Sequence, residues 1–154
     1  MIGSIIGDIV GSIYEGNPIK THNFPLFGMK ADYTDDTVLT VAIAHSILEN
    51  IFYASSLRLF GQKYTAGNGS NFYNWLYSQS DEPYNSWGNG SAMRVSPVGF
   101  AFDSADEVLY EAKKSSEVSH NHPDGIKGAQ ATALSFFLAR TVNPEFPEKC
   151  NDEL

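Results

Sequence analysis

Residues 34–49 read TDDTVLTVAIAHSILE, and this stretch decides the fold class. Thr34 has the chemistry of an N-cap, because its side-chain oxygen can accept a backbone N–H of the first helical turn. Asp35 and Asp36 follow it, where carboxylates complement the positive end of a helix dipole. Beyond them Val38, Leu39, Val41, Ala42, Ile43, Ala44, Ile47 and Leu48 leave almost no polar face. That density predicts a helix running to about Asn50 at the buried centre of an all-helical fold.

The same periodic reasoning works outward from there. Toward the N-terminus, Ile2, Ile5, Ile6, Ile9, Val10 and Ile13 recur at helical spacing and predict one helix over 2–14. Gly3, Gly7 and Gly11 form a bare stripe along it, each at a cost of about 1 kcal/mol relative to alanine. Close packing of another backbone or a ligand is the expectation for such a stripe. Residues 16–33, with Gly16, Pro18, Pro25 and Gly28, read as a loop.

Toward the C-terminus, helices fit 55–65 and 71–79, the second carrying Phe72, Trp75 and Leu76. Asp81 to Gly90 is turn chemistry, and Ser96-Pro97 opens a short helix with proline in its first position. Ser104 and Glu107 have capping-box spacing and open a helix to about Ser116. Pro123 opens a last helix, with Ile126, Ala133, Leu134, Phe137 and Leu138 toward a core. The polar tail from about residue 142 is expected to be irregular. No segment alternates as a strand does, so the class is all-α, in one domain over residues 1–154.

Composition narrows the partners. The net charge of −8 argues against nucleic acid or an anionic membrane, both of which need clustered Lys and Arg. With 42% hydrophobic and 18% charged residues the chain can bury a core. The lone Cys150 excludes a disulfide framework and a thiolate zinc cluster. The apolar start MIGSIIGDIVGSIY lacks a basic leader and is interrupted by Asp8. It is also shorter than the roughly 20 residues of a spanning helix, so a cytoplasmic protein is expected.

Three segments can carry chemistry. Thr34-Asp35-Asp36-Thr37 offers four hard oxygen donors within one turn, which suits Mg²⁺; helix capping alone accounts for the same residues. Ser4, Asp8, Ser12 and Glu15 lie along one side of the first helix. Asp8 is expected to be a buried, hydrogen-bonded packing residue. Glu15 sits at the helix end, where dipole logic disfavours an acid, and so reads as functional. If the two helices cross, Glu15 can share a cation with Asp35 and Asp36.

The second segment, Ser86-Trp87-Gly88-Asn89-Gly90-Ser91-Ala92-Met93-Arg94, is either an anion nest with Trp87 over a ligand face or an ordinary turn. The third, Ser119-His120-Asn121-His122-Pro123, is a helix start whose histidine can contact a phosphate; solvated imidazoles are the plainer reading.

Taken in order, Ile6-Gly7-Asp8 through Glu15, Tyr33 through Thr37, Gly88 through Pro97, and Ser119 through Pro123 with Gly128-Ala129 resemble the ADP-ribosylglycohydrolase family. The resemblance implies an all-α orthogonal bundle of that type, here short or truncated, with two Mg²⁺ ions below an ADP-ribose cleft. It implies Thr34, Asp35 and Asp36 as metal ligands and Glu15 as the acid near the second metal and the scissile bond. Gly88, Asn89, Gly90 and Ser91 would line the cleft, with His120 on the ligand. The family's later Asp-x-Asp-Thr helix start has no counterpart here, so one incomplete magnesium site is expected.

The function implied is Mg²⁺-dependent hydrolysis of the glycosidic bond between ADP-ribose and a protein side chain, or of a related ADP-ribosyl substrate. Glu15, Asp35 and Asp36 are the candidate catalytic carboxylates, with the base left open among them. The alternative is a non-catalytic module that binds ADP-ribose or a protein partner through Gly88–Ser91. Helices without neighbours would leave apolar surface, so a homo-oligomer is also expected.

Overall fold

The computed structural model describes residues 1–64 and 67–142. In chain order these form α1 (Ile2–Gly11), a 3-10 turn (Ser12–Tyr14), α2 (Asp35–Glu49), α3 (Tyr53–Lys63) and α4 (Ser70–Tyr77). There follow α5 (Gly90–Met93), α6 (Ser96–Ala101), α7 (Ala105–Glu117) and α8 (Pro123–Val142), with no strand among the described residues. The class is all-α. No described helix is long and apolar enough to cross a membrane. The irregular tail and Cys150 lie outside the described residues.

Local chemistry sets most of the boundaries. Thr34 caps α2 by accepting the Asp36 N–H at 3.3 Å, and Asn50 ends the helix in the left-handed region. Ser104 caps α7 by accepting the Glu107 N–H at 3.3 Å, and its hydroxyl donates to the Glu107 carboxylate at 2.9 Å. Pro123 opens α8 as expected, and α6 opens at Ser96 with Pro97 second rather than first; a first-turn proline forfeits no helical hydrogen bond at either place.

Helix α2 is central. It packs against α1, α3 and α6, while α8 packs against α5, α6 and α7. Leu39, Ala42 and Ile43 of α2 join Leu57, Leu76, Val95, Val98, Val108, Ala129 and Ala133 in one core. The buried face of α8 is Gly125, Ala129, Ala133 and Phe137, a four-residue period of mostly small side chains. That smallness lets α6 come close: a Cβ on Gly99 would lie 2.5 Å from the Ala133 carbonyl oxygen. Leu138, expected in the core, is exposed instead, one step beyond this stripe.

Helix α1 differs most from expectation. It ends at Gly11 and tightens into the 3-10 turn rather than running to residue 14. None of its isoleucines is buried; its one buried side chain is Asp8. Apart from chain neighbours and the helix's own backbone, no atom among the described residues lies within 4 Å of a Cβ built on Gly3, Gly7 or Gly11. The glycine stripe is therefore open, so no backbone among the described residues packs closely on it, and Gly7 and Gly11 instead line a recess. Period alone identifies a helix's apolar side but not what covers it.

Candidate functional site

The start of α2 is held by Asp8. One oxygen of its carboxylate accepts the Thr34 hydroxyl at 2.6 Å. The other accepts the Thr34 N–H at 2.9 Å, the Thr37 N–H at 3.1 Å and the Thr37 hydroxyl. One buried acid thus satisfies backbone donors that a helix start leaves orphaned and fixes α1 against α2. This is the packing role expected for Asp8, and it aims Asp35 and Asp36 outward.

The two aspartates then diverge. Asp35 faces a cleft of about 320 Å³ shared with Phe72, Tyr84, Gly88, Asn89, Gly90 and His120. Asp36 faces a neighbouring recess with Ser4, Gly7, Asp8, Gly11 and Glu15, and Met93 borders both spaces. The open glycine stripe is part of the wall beside Glu15.

Charge is uncompensated here. Burial first, then repulsion from Asp36, raises the Asp35 carboxyl to about 6 against an opposing backbone hydrogen bond, with Glu15 and Asp8 adding repulsion. Burial and then Asp8 and Glu15 raise Asp36 as well. Gly67, at φ +77°, lies over Asp35, where a Cβ would come within 2.9 Å of a carboxylate oxygen. Glycine suits both that approach and the positive φ. Among the described residues, no three His, Cys, Asp or Glu side chains converge as a complete metal cage would require.

The lining of the same cleft includes a buried cation. Arg94 is 1% exposed, and Nη2 donates to the Ser119 hydroxyl at 2.8 Å and the Ser115 carbonyl at 3.3 Å. Burial lowers its guanidinium to about 10, which still leaves it charged at neutral pH. The Ser119 hydroxyl lies 2.8 Å from His120 Nδ1, and the Tyr84 ring meets the imidazole edge-on at 6.0 Å. Burial, reinforced by the Arg94 charge, holds the His120 imidazolium down to about 4, so the ring is neutral.

The structure brings Asp35, Gly88, Asn89, Gly90 and His120 to one cleft, and Glu15 and Asp36 to the recess beside it. Thr34 stays at the cap, its hydroxyl shared between Asp8 and the Asp36 N–H. Ser91 is buried, with its hydroxyl donated to the Gly125 carbonyl at 3.1 Å, so its side chain braces α5 on α8. Trp87 is 76% exposed and lines neither space. His122 points to Asp124 at 3.7 Å, away from His120's partners. Tyr84 and Phe72 were not singled out as site residues from sequence. An aromatic is an equally good core residue, and only the cleft tells the two roles apart.

A family model described as ADP-ribosylglycohydrolase matches residues 1–151. Among curated proteins, the chain is similar to an ADP-ribosylhydrolase ARH3 of Xenopus tropicalis, 27% identical over 94% of this chain and 51% of that protein. The ARH3 proteins of Homo sapiens (27% identical, 90% of this chain, 48% of theirs) and Danio rerio (23%, 100% and 50%) match similarly. The chain spans about half the length of the curated relatives it matches.

Proposed function

This chain belongs to the ADP-ribosylglycohydrolase family, and from that premise we propose that its cleft takes an ADP-ribosyl group for hydrolysis at the anomeric carbon. The observation that carries the proposal is the sharing of one cleft by Asp35, the Gly88–Gly90 loop and His120, with Glu15 and Asp36 just beyond Met93. A diphosphate suits the side of Arg94 and His120, since a buried guanidinium without a carboxylate partner among the described residues supplies a positive field and the glycines admit backbone N–H donors. The ribose end then falls toward the acids.

The residues present suit a divalent cation in part. Burial raises Asp35 and Asp36, Asp8 and Glu15 add repulsion on both, and Asp36 adds more on Asp35, a strain that a cation relieves. Thr34, Asp35 and Asp36 would hold Mg²⁺, with waters filling the remaining positions. When bound, the ion would polarise ribose hydroxyls and acidify a water. One of the carboxylates of Glu15, Asp35 and Asp36 takes the attacking water's proton. That water's oxygen bonds to the anomeric carbon as the bond to the protein side chain breaks. The electron pair leaves with the side-chain heteroatom, which takes up a proton.

The test is release of ADP-ribose from ADP-ribosylated protein with magnesium present, alongside Glu15→Gln. Turnover that falls at least a hundredfold in the variant, with ADP-ribose binding retained, supports the hydrolase. One observation favours a second reading: no three ligating side chains converge among the described residues. On that reading the chain binds ADP-ribose without turning it over, and ADP-ribose raises the melting temperature while no product appears. Neither stabilisation nor turnover would remove both readings.

A further inference from the structure

The hydrogen-bond relay from Arg94 to His120 carries an inference about proton placement. A guanidinium has donors only, so the 2.8 Å contact from Arg94 Nη2 occupies a lone pair of the Ser119 oxygen. The same oxygen lies 2.8 Å from His120 Nδ1. If Nδ1 carried the ring proton, that fully buried oxygen would accept two N–H groups, and its own proton would turn to the half-buried Tyr84 hydroxyl. If the hydroxyl donates to Nδ1 instead, its proton meets the more basic acceptor. The adjacent positive charge polarises it in that direction.

The far edge of the ring is equally constrained. A Cβ on Gly90 would lie 2.9 Å from His120 Nε2 and 3.0 Å from Cε1, so glycine at this position makes room for the edge that bears Nε2. That edge adjoins the Gly88–Gly90 loop in the cleft.

We propose that Arg94 and Ser119 are positioning residues that hold the single ring proton of His120 on Nε2, so that the ring presents a fixed hydrogen-bond donor to an anionic oxygen of the cleft's ligand. Neither positioning residue needs to touch the ligand. The placement of the proton is a property of the chain alone; the role of the donor rests on the ADP-ribosyl reading of the cleft.

Two measurements separate these parts. Long-range ¹H–¹⁵N correlation on histidine-labelled full chain at neutral pH reads the tautomer, with His120→Gln assigning its signals among the four histidines. Nδ1 should resonate as a bare nitrogen and Nε2 as a protonated one. Ser119→Ala should give mixed or Nδ1-protonated signals, and Ser119→Thr should restore the wild-type pattern. A proton on Nδ1 in the wild type, or an Nε2 proton unmoved by Ser119→Ala, overturns the proposal. Titration with ADP-ribose should then show affinity about tenfold weaker in Ser119→Ala and recovered in Ser119→Thr. Weakened affinity that threonine fails to restore assigns Ser119 to packing and overturns the positioning role. If the wild type shows the Nε2 tautomer but binds no ADP-ribose, the ligand reading fails while the proton placement stands.

Discussion

Asp8 shows how much a single buried acid can organise, because all four of its hydrogen bonds run to residues 34 and 37 at the start of α2. Removing it strands two backbone donors and two hydroxyls at a partly buried helix start. Asp8→Ala should therefore lower stability by about 2–4 kcal/mol, read as a fall in denaturant midpoint at unchanged slope. A loss under about 0.5 kcal/mol would mean that water replaces the carboxylate freely. Two other residues impose opposite pH dependences. His120 is lowered to about 4 when folded, so below its ordinary 6.5 the unfolded chain binds the extra proton and stability falls on acidification. Asp35 is raised to about 6, so above its ordinary 3.8 the folded chain holds the extra proton and stability falls as pH rises through 6. Between pH 4 and 6 the two slopes oppose each other. Asp35→Asn should thus leave a stability that drops more steeply from pH 6.5 to 4.5 than the wild type's, measured by denaturation at each pH. Identical profiles for the two proteins would refute the raised Asp35.

At the scale of elements, what the sequence makes legible is whatever the backbone decides locally. The caps at Thr34 and Ser104, the opening prolines of α6 and α8 and the end of α2 near Asn50 each depend on one or two side chains and their own turn. Helix α5 was hidden because Asn89-Gly90 reads as a turn. Its short run is held by distant partners, with Ser91 on Gly125 and Arg94 on Ser115 and Ser119. The site follows the same division. The roles of Asp8 and the Thr34 cap can be argued from position along a helix, whereas the relay through Ser119 and the glycine clearance at position 90 depend on residues far apart in sequence. Helix α1 supplies a test of the open stripe. A Cβ at Gly7 meets nothing within 4 Å among the described residues. Gly7→Ala should accordingly raise stability by about 0.5–1 kcal/mol through helix propensity alone. A loss of that size would instead show that something covers the stripe in solution.

Over the whole molecule, the open surface and the net charge oppose each other. An apolar groove between α1, α2 and α6 is lined by Ile2, Ala44, Ile47, Leu48, Pro97 and Phe100, with Ile2 72% and Leu48 82% exposed. Surface of this kind favours association, and with a second copy the contact would be self-complementary. The charge of −8 on each copy resists it. Salt separates the two effects, since raising ionic strength from about 0.01 to 1 M shortens the screening length from about 30 to 3 Å and weakens the repulsion. The chain should therefore self-associate more strongly as salt rises, with sedimentation velocity reporting a concentration-dependent shift toward dimer. Ile2→Glu with Leu48→Glu places two charges in the groove and should return the protein to monomer at every salt concentration. Neither residue lines the cleft of Asp35 and His120, so ADP-ribose affinity should be unaffected by the pair. A dimer that persists in the double variant would locate the contact elsewhere. A monomer at all concentrations in the wild type would mean that the groove, although apolar, is too small to hold two copies together.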